Sequence, residues 1–274
     1  MAKTEIQSQR SSVQDVVYSA LRSSIINLNL APGTVISEAD VSQKYQVSRT
    51  PVREAFIHLS KEGLVEVIPQ KETRISLIDL ARVEQEFFLR ESLEAAVLKP
   101  FILNGEARHL AEMEDLITLQ STALKRKSYI DFINCDDRFH EILFEGADQH
   151  LSWDVLSSMS GHYHRVRMLT VRLAGIGDER VSEHRKIFSA LKQRDHEKAK
   201  KMLYTHLHNL NTEEKVLMKK FPAYFASRKT INRFDVDFGG LPILQDPDMP
   251  PVLPSGMPPE VPGEKPVKQS RKRR

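Results

Sequence analysis

Asp136 and His140 stand four residues apart in the stretch CDDRFH. On a helix that spacing puts a carboxylate and an imidazole on one face, where they could supply two donors to a divalent transition metal. The pair is equally compatible with a solvated stripe beside a core phenylalanine, so the question is whether partners exist. Gln193-Arg194-Asp195 reads as a turn in which Asp195 caps the helix that follows. His184 lies eleven residues before Asp195 and His206 eleven after. In an antiparallel helix pair, equal separations from the turn put two residues level, each about 16 Å along at 1.5 Å per residue. His184 and His206 can then face each other, and with Asp136 and His140 on a neighbouring helix they make three imidazoles and one carboxylate. That set suits Zn²⁺, and also Ni²⁺, Mn²⁺ or Fe²⁺. The chain has ten histidines, and on spacing alone chance alignment stays open as the alternative. His58, His109, His150, His196 and His208 read as surface or capping residues. His162 and His164 flank Tyr163 and point to opposite faces, so at most one of them lines a cavity. Cys135 reads as a small core thiol, and Asp137 as lying off the His140 face.

The elements around this set are helical. From about 80 to 226, apolar residues recur three and four apart in six runs, beginning with LARVEQEFFLRESLEAAVLKPFIL and ending with DHEKAKKMLYTHLHNLNTEEKVLMKKF. This predicts an all-α antiparallel bundle joined by short polar turns. Residues 10–78 differ. A helical period runs from Val13 to Leu28, and Ala31-Pro32-Gly33 breaks it. Ser37 opens S-E-A-D, a serine cap with an acid three residues on, before a short helix at 38–45. Ser48 caps the next helix, Pro51 sits in its first turn, and Gly63 ends it. LVEVI and RISLI then read as a hairpin around PQKET. Three helices and a hairpin make a winged helix-turn-helix, so the fold class is mainly α, with a winged head followed by a helical bundle.

Composition narrows the partners. The formal net charge is only +3, so a nucleic-acid surface in the folded part has to be a local patch. Nine of the fourteen prolines fall between Pro242 and Pro266, and the chain ends QSRKRR. Residues 227–274 therefore read as a disordered tail with a basic end. One cysteine excludes an internal disulfide and fits a reducing cytoplasm. The start, MAKTEIQSQRSS, has no apolar signal core, and no run approaches the roughly 20 apolar residues of a spanning helix.

In a helix-turn-helix the second helix enters the major groove with its N-terminal residues at base edges. Here those are Ser48, Arg49, Thr50, Pro51, Val52 and Arg53. Arg49 and Arg53 share a face, and a guanidinium fork matches guanine O6 and N7. Ser48 and Thr50, with the free N–H groups of the helix start, suit phosphate. Glu54 is expected to orient an arginine. Lys71 and Arg74, in the wing, are expected to reach the DNA backbone.

At this point the chain resembles a known family. P-G-x-x-I-S-E-x-x-V, then V-S-R-T-P-V-R-E-A, then E-G-L-V is similar to the GntR-type winged-helix repressors. The resemblance implies base reading by Arg49 and Arg53 and backbone contacts by Ser48 and Thr50. One departure is the wing, where the family's glycine is replaced near Glu72. That removes the freedom to adopt positive φ, and no minor-groove insertion by this wing is expected. D-x-x-F-H, E-H-R-x-I-F-x-A-L-x-x-R-D and a later H-L resemble the FadR C-terminal ligand-binding (FCD) domain, which implies the FadR subfamily. Metal-bearing members use an Asp and a His of D-x-x-x-H plus two later histidines, and these fall on Asp136, His140, His184 and His206. The resemblance further implies a small organic acid or sugar acid completing the coordination. Arg90 matches an arginine that commonly reaches the pocket, where it could hold a carboxylate bidentately; a salt bridge to Glu94 at i+4 competes. Arg165 and Arg167 are further effector candidates.

Three functions follow. The first is a metabolite-responsive regulator, expected to be a repressor, that binds a palindromic DNA operator as a homodimer with half-sites about 34 Å apart. The second is a metal-sensing regulator with no organic effector. The third is a metalloenzyme carrying a DNA-binding domain, since such a site can activate water; no separate general acid or base stands beside the four ligands.

Overall fold

A computed structural model describes residues 12–68, 72–173, 175–209 and 214–226. Lys71 and the 227–274 segment, expected to be a wing contact and a disordered tail, lie outside the described residues. The N-terminal head starts with α1 (Val13–Ile26), whose cap is reciprocal. Ser12 Oγ accepts from the Asp15 N–H at 3.1 Å, and the Ser12 N–H donates to Asp15 Oδ2 at 3.0 Å. The helix ends before Leu28, which takes a left-handed φ of 62°, rather than running through it. Ser37 caps α2 (Glu38–Tyr45), accepting from Asp40 N at 3.1 Å. Ser48 occupies the N-cap of α3 (Arg49–Lys61) but makes no side-chain cap bond there.

The wing has three strands. The central strand is β3 (Glu72–Ile75), with β1 (Val35–Ile36) and β2 (Val65–Ile68) antiparallel on either side. β1 is too short to show a period, and β3 begins two residues before the RISLI run. Gly33, at φ 84°, turns the chain so that its N–H reaches Ile75 O at 2.8 Å and β1 can pair. Val17, Leu21, Ile25, Val52, Phe56, Leu59 and Ile75 close the head's core.

The rest is helical: α4 (Leu80–Asn104), α5 (Ala107–Lys125), α6 (Tyr129–Gly146), α7 (His150–Ser158), α8 (Gly161–Thr170), α9 (Ile176–Lys192), α10 (His196–Asn209) and α11 (Glu214–Lys220). Among the described residues, the sequence run from Leu151 to Leu173 divides into two helices, α7 and α8. The break, at Met159-Ser160, leads into Gly161, where a Cβ would stand 2.8 Å from the Leu64 side chain of the head. A larger residue there would have to push the Leu64 side chain aside. The helix it opens, α8, is buried along its whole length, touching α1 of the head and α4 of the bundle. Contacts of this kind place head and bundle in one compact unit. α4, α5, α6, α9 and α10 pack around the second core, and these five helices carry the polar cluster described next.

Candidate metal centre and DNA-reading face

Four of the bundle's helix positions turn donor atoms to one point. The ligand atoms of Asp136, His140, His184 and His206 all lie within 4.8 Å of one another, and all four side chains are buried. Asp136 and His140 come from one face of α6. His184 on α9 and His206 on α10 meet across the turn that Asp195 caps, its Oδ1 accepting from Lys198 N at 3.0 Å. His206 Nε2 stands 3.2 Å from His140 Nε2 and 3.3 Å from His184 Nε2, and His184 Nε2 is 3.4 Å from Asp136 Oδ1. Donors about 2.1 Å from a shared ion in a tetrahedron stand about 3.4 Å apart, so the spacing fits one cation.

The far sides of the rings decide what the near sides can be. His140 Nδ1 lies 2.7 Å from Glu94 Oε2, His184 Nδ1 2.8 Å from Gln120 Oε1, and His206 Nδ1 2.8 Å from Glu183 Oε2. Gln120 is oriented by its own amide, which donates to Asp136 Oδ1 at 3.2 Å. An acceptor at each Nδ1 fixes the proton there and leaves a lone pair at each Nε2. Burial first, then the neighbouring imidazoles, holds His184 well below the usual histidine range. Burial likewise lowers His206, so both rings stay neutral. The Nε2 lone pairs of neutral His184 and His206 face each other across 3.3 Å and repel, and a cation between them would relieve this. Burial alone would raise the Asp136 carboxyl, but Arg167 and the three imidazoles together hold it well below the carboxylate range, ionised and ready as the anionic donor. Burial also opposes ionisation of Glu94, and His140 and Arg90 bring it down to about 2. Phe139 stacks on His184 with centroids 4.4 Å apart.

A cavity of about 30 Å³ opens beside the four donors, and Arg90, Arg167 and Arg180 line it together with Asp136 and His206. Arg90 makes the i+4 salt bridge that its spacing allows, its Nε donating to Glu94 Oε1 at 2.6 Å, and it also lines the cavity. Arg165, read as an effector contact, is placed elsewhere. It is fully buried against the head, where it donates from NH1 to Ser76 O at 2.7 Å and from NH2 to Ser76 Oγ at 3.2 Å. Two positions along a helix turn a side chain by about 200°, so Arg167 takes the cavity side. It binds Asp136 and donates to Asp137 Oδ1 at 2.6 Å. Asp137, off the His140 face, is thus an orienting partner. His162 and His164 are both buried at the head, and of the two His164 also lines a cavity there. His162 Nε2 donates to Gly63 O at 3.0 Å, and His164 Nε2 lies 3.3 Å from Asn27 Oδ1. His109 is a buried cap, its Nδ1 accepting from Glu106 N at 3.0 Å. Cys135 is half-buried.

The sequence did not point to Glu94, Gln120 and Glu183 as ring anchors. The available signal was chemical: a ligating imidazole needs an acceptor on its other nitrogen.

On the head, Ser48, Arg49, Thr50 and Arg53 are all exposed at the start of α3. Arg53 is held by Glu38 of α2, with bonds of 2.9 and 3.0 Å from its Nε and NH2; that carboxylate, not Glu54, orients it. Arg74 pairs with Glu72 two residues back on β3.

Residues 13–75 match the family described as bacterial regulatory proteins, gntR family, and residues 86–209 match the FCD domain. The chain is 31% identical over 214 residues to the HTH-type transcriptional repressor RspR of Escherichia coli (strain K12), covering 78% of this chain and 94% of that one. It belongs to the GntR family. This GntR regulator is also 31% identical, over 211 residues, to an uncharacterised HTH-type regulator of Streptomyces ambofaciens, covering 77% of this chain and 89% of that protein. Its fold is shared with the solved E. coli McbR/YncC, at TM-score 0.63 and 18% identity over 77% of this chain and 99% of the other. A GntR regulator from Rhodococcus sp. RHA1 superposes at TM-score 0.61 and 21% identity, over 74% and 97% of the two chains. The protein is therefore a DNA-binding transcriptional regulator with an FCD effector domain, not an enzyme, and no helix among its described residues is long and apolar enough to cross a membrane.

Proposed function

We propose that this regulator is a cytoplasmic repressor of the FadR subfamily whose grip on a palindromic operator is set by a small carboxylate held at a metal centre. The observation that carries this reading is the convergence of three Nε2 lone pairs and one carboxylate, each fixed from behind. Asp136, His140, His184 and His206 would hold a divalent transition ion, Zn²⁺ being the best match to three nitrogens and one oxygen; Ni²⁺, Mn²⁺ and Fe²⁺ suit the same set. Such an ion supplies an electrophilic anchor for an anionic oxygen. The chain's own residues do the selecting. Arg90, Arg167 and Arg180 bring guanidinium groups to the cavity wall, each beside its own carboxylate partner, a lining that suits the oxygens of an anion and favours an organic effector over a metal-only sensor. The cavity's size suits a bare carboxylate group better than a whole sugar acid.

The head completes the reading. Arg49 and Arg53 contact bases, Ser48 and Thr50 contact phosphate, and Arg74 and Lys71 contact the backbone beside them. A homodimer presents two α3 helices to two half-sites. Repression is supported by the relative RspR, which carries that description. The effector shifts the operator equilibrium only by as much as it prefers one arrangement of the chain over the other. The test is operator affinity by fluorescence anisotropy, with metal-loaded protein, over a panel of small carboxylates. At least one acid should change the affinity fivefold or more, and removing the metal with a chelator should abolish the change. Operator affinity indifferent to every acid but tracking metal would favour the metal-sensing alternative.

A further inference from the structure

A second cavity, of about 250 Å³, lies against the first, and Arg90 lines both. Its outer wall belongs to the DNA-binding head, through Ser23 and Ile26 of α1 and Asn27, which caps that helix. Trp153 and Leu156 of α7 face them from the bundle. Arg90 is only 3% exposed, and its Nε is committed to Glu94. Its terminal nitrogens make no hydrogen bond among the described residues: NH1 comes only to 3.9 Å from Asp137 Oδ1. The guanidinium lies over the Tyr163 ring, 5.5 Å from its centroid, at a place where the two cavities share a wall.

The two compartments differ in chemistry. The inner one is ringed by guanidinium groups. The outer one has fewer guanidinium groups: besides Arg90 it holds only Arg22 among its lining residues, which donates to Glu62 Oε2 at 2.7 Å and to Ser157 O at 2.8 Å, while its Asp137 is bound by Arg167. His164, which also lines it, is kept neutral by burial, its pKa pushed down to about 4. What remains is an apolar and aromatic surface with neutral hydroxyl and amide groups.

We propose that the two cavities are one effector site divided by Arg90: the inner takes a carboxylate, and the outer takes a ring-sized, uncharged body that lies directly against α1 of the DNA-binding head. The ligand class is a monocarboxylic acid with an aromatic or branched apolar body. A second carboxylate on that body would face Asp137 in a poorly solvated compartment and be disfavoured. Arg90 turns its unfilled N–H groups to the acid at the neck between the two. This rests on the carboxylate-effector reading given above, and adds to it both the body of the ligand and its contact with the head.

The test uses the full metal-loaded chain, with acetate and benzoate as probes in calorimetric titrations, and two variants that fill the outer cavity from opposite walls. Ser23→Trp adds bulk from α1 and Asn134→Trp from α6; both positions are exposed and lie on cavity walls. Benzoate should bind the unaltered protein at least tenfold more tightly than acetate. Each variant should erase that advantage while acetate affinity and metal content stay as they were. Benzoate binding no tighter than acetate, or equally tight in both variants, would overturn the two-compartment site and leave the carboxylate reading standing. If the unaltered protein binds neither acid, the carboxylate reading fails and this inference goes with it.

Discussion

The candidate metal centre and the proposed DNA-reading face are opposites in how they are held. Every donor at the centre is backed by a second residue: Glu94 behind His140, Gln120 behind His184, Glu183 behind His206, Arg167 behind Asp136. At the start of α3 the side chains proposed to contact DNA lie in solvent, and of Arg49 and Arg53 only Arg53 is ion-paired among the described residues, to Glu38. The contrast follows from the ligands. An ion offers a single point and rewards donors fixed in advance. DNA offers an extended anionic surface that can itself order flexible arginines. The centre should therefore fail abruptly when one residue is removed, and the DNA face gradually.

Removing one ligand is the harshest way to test that difference. His184→Ala should strip the bound metal, falling from about one equivalent per chain to none by elemental analysis. Changing only a backing residue should act more mildly. Glu183→Gln leaves all four donors in place but weakens the acceptor behind His206, so metal affinity should fall about 10–100-fold in a competition titration with a chelating dye. An unchanged affinity would mean that the backing residues do not position the rings.

On the DNA face, Arg49→Ala removes one bidentate base contact worth about 1–3 kcal/mol. Operator affinity should drop accordingly, with relaxed preference at one base pair of each half-site and an unaltered metal content. Uniform weakening across all sequences would reassign Arg49 to the phosphate backbone.

A third region, the junction between head and bundle, responds to pH. Burial first, then the Arg165 guanidinium, lowers the His162 pKa to about 3, and burial lowers His164 to about 4. Both are neutral in the folded chain, whereas unfolded histidine titrates near 6.5. As pH falls below about 6.5 the unfolded state takes up protons that the folded state refuses, so stability is full above that pH and is lost below it. Each residue contributes a slope of about 1.4 kcal/mol per pH unit until its folded pKa is reached. Denaturant melts between pH 7 and pH 5 should show this loss, and His164→Gln should flatten it. The smallest effect belongs to Glu38→Gln. Arg53 is two-thirds exposed in its pair with Glu38, and exposed pairs contribute about 0–1 kcal/mol, so operator affinity should move by no more than a few-fold.

Much of this organisation is written locally. The caps at Ser37 and Asp195, the glycine after α3 and the helical period of the bundle are short-range features that single segments carry. The four donors were also accessible, since equal spacing about one turn levels His184 with His206 whatever the rest of the fold does. What escaped are the parts set by helix rotation and by contacts between distant segments. Arg165 and Arg167 are two apart on a helix buried on every side, so periodicity offers no inner or outer face by which to assign them. Glu94 reads as a salt-bridge partner of Arg90 at i+4, and its bond to His140 exists only because α4 packs on α6. The two-residue β1 depends on Ile75, forty residues downstream of its turn, and leaves no local trace.

The central claim is a cation between three imidazoles and one carboxylate, and metal content tests it most directly. Full-length protein purified without chelator and without added metal should carry close to one equivalent of a divalent transition metal per chain. His140→Ala, prepared identically, should carry none. A purified protein free of metal, whose melting temperature does not move when Zn²⁺, Ni²⁺ or Mn²⁺ is added, would contradict the account.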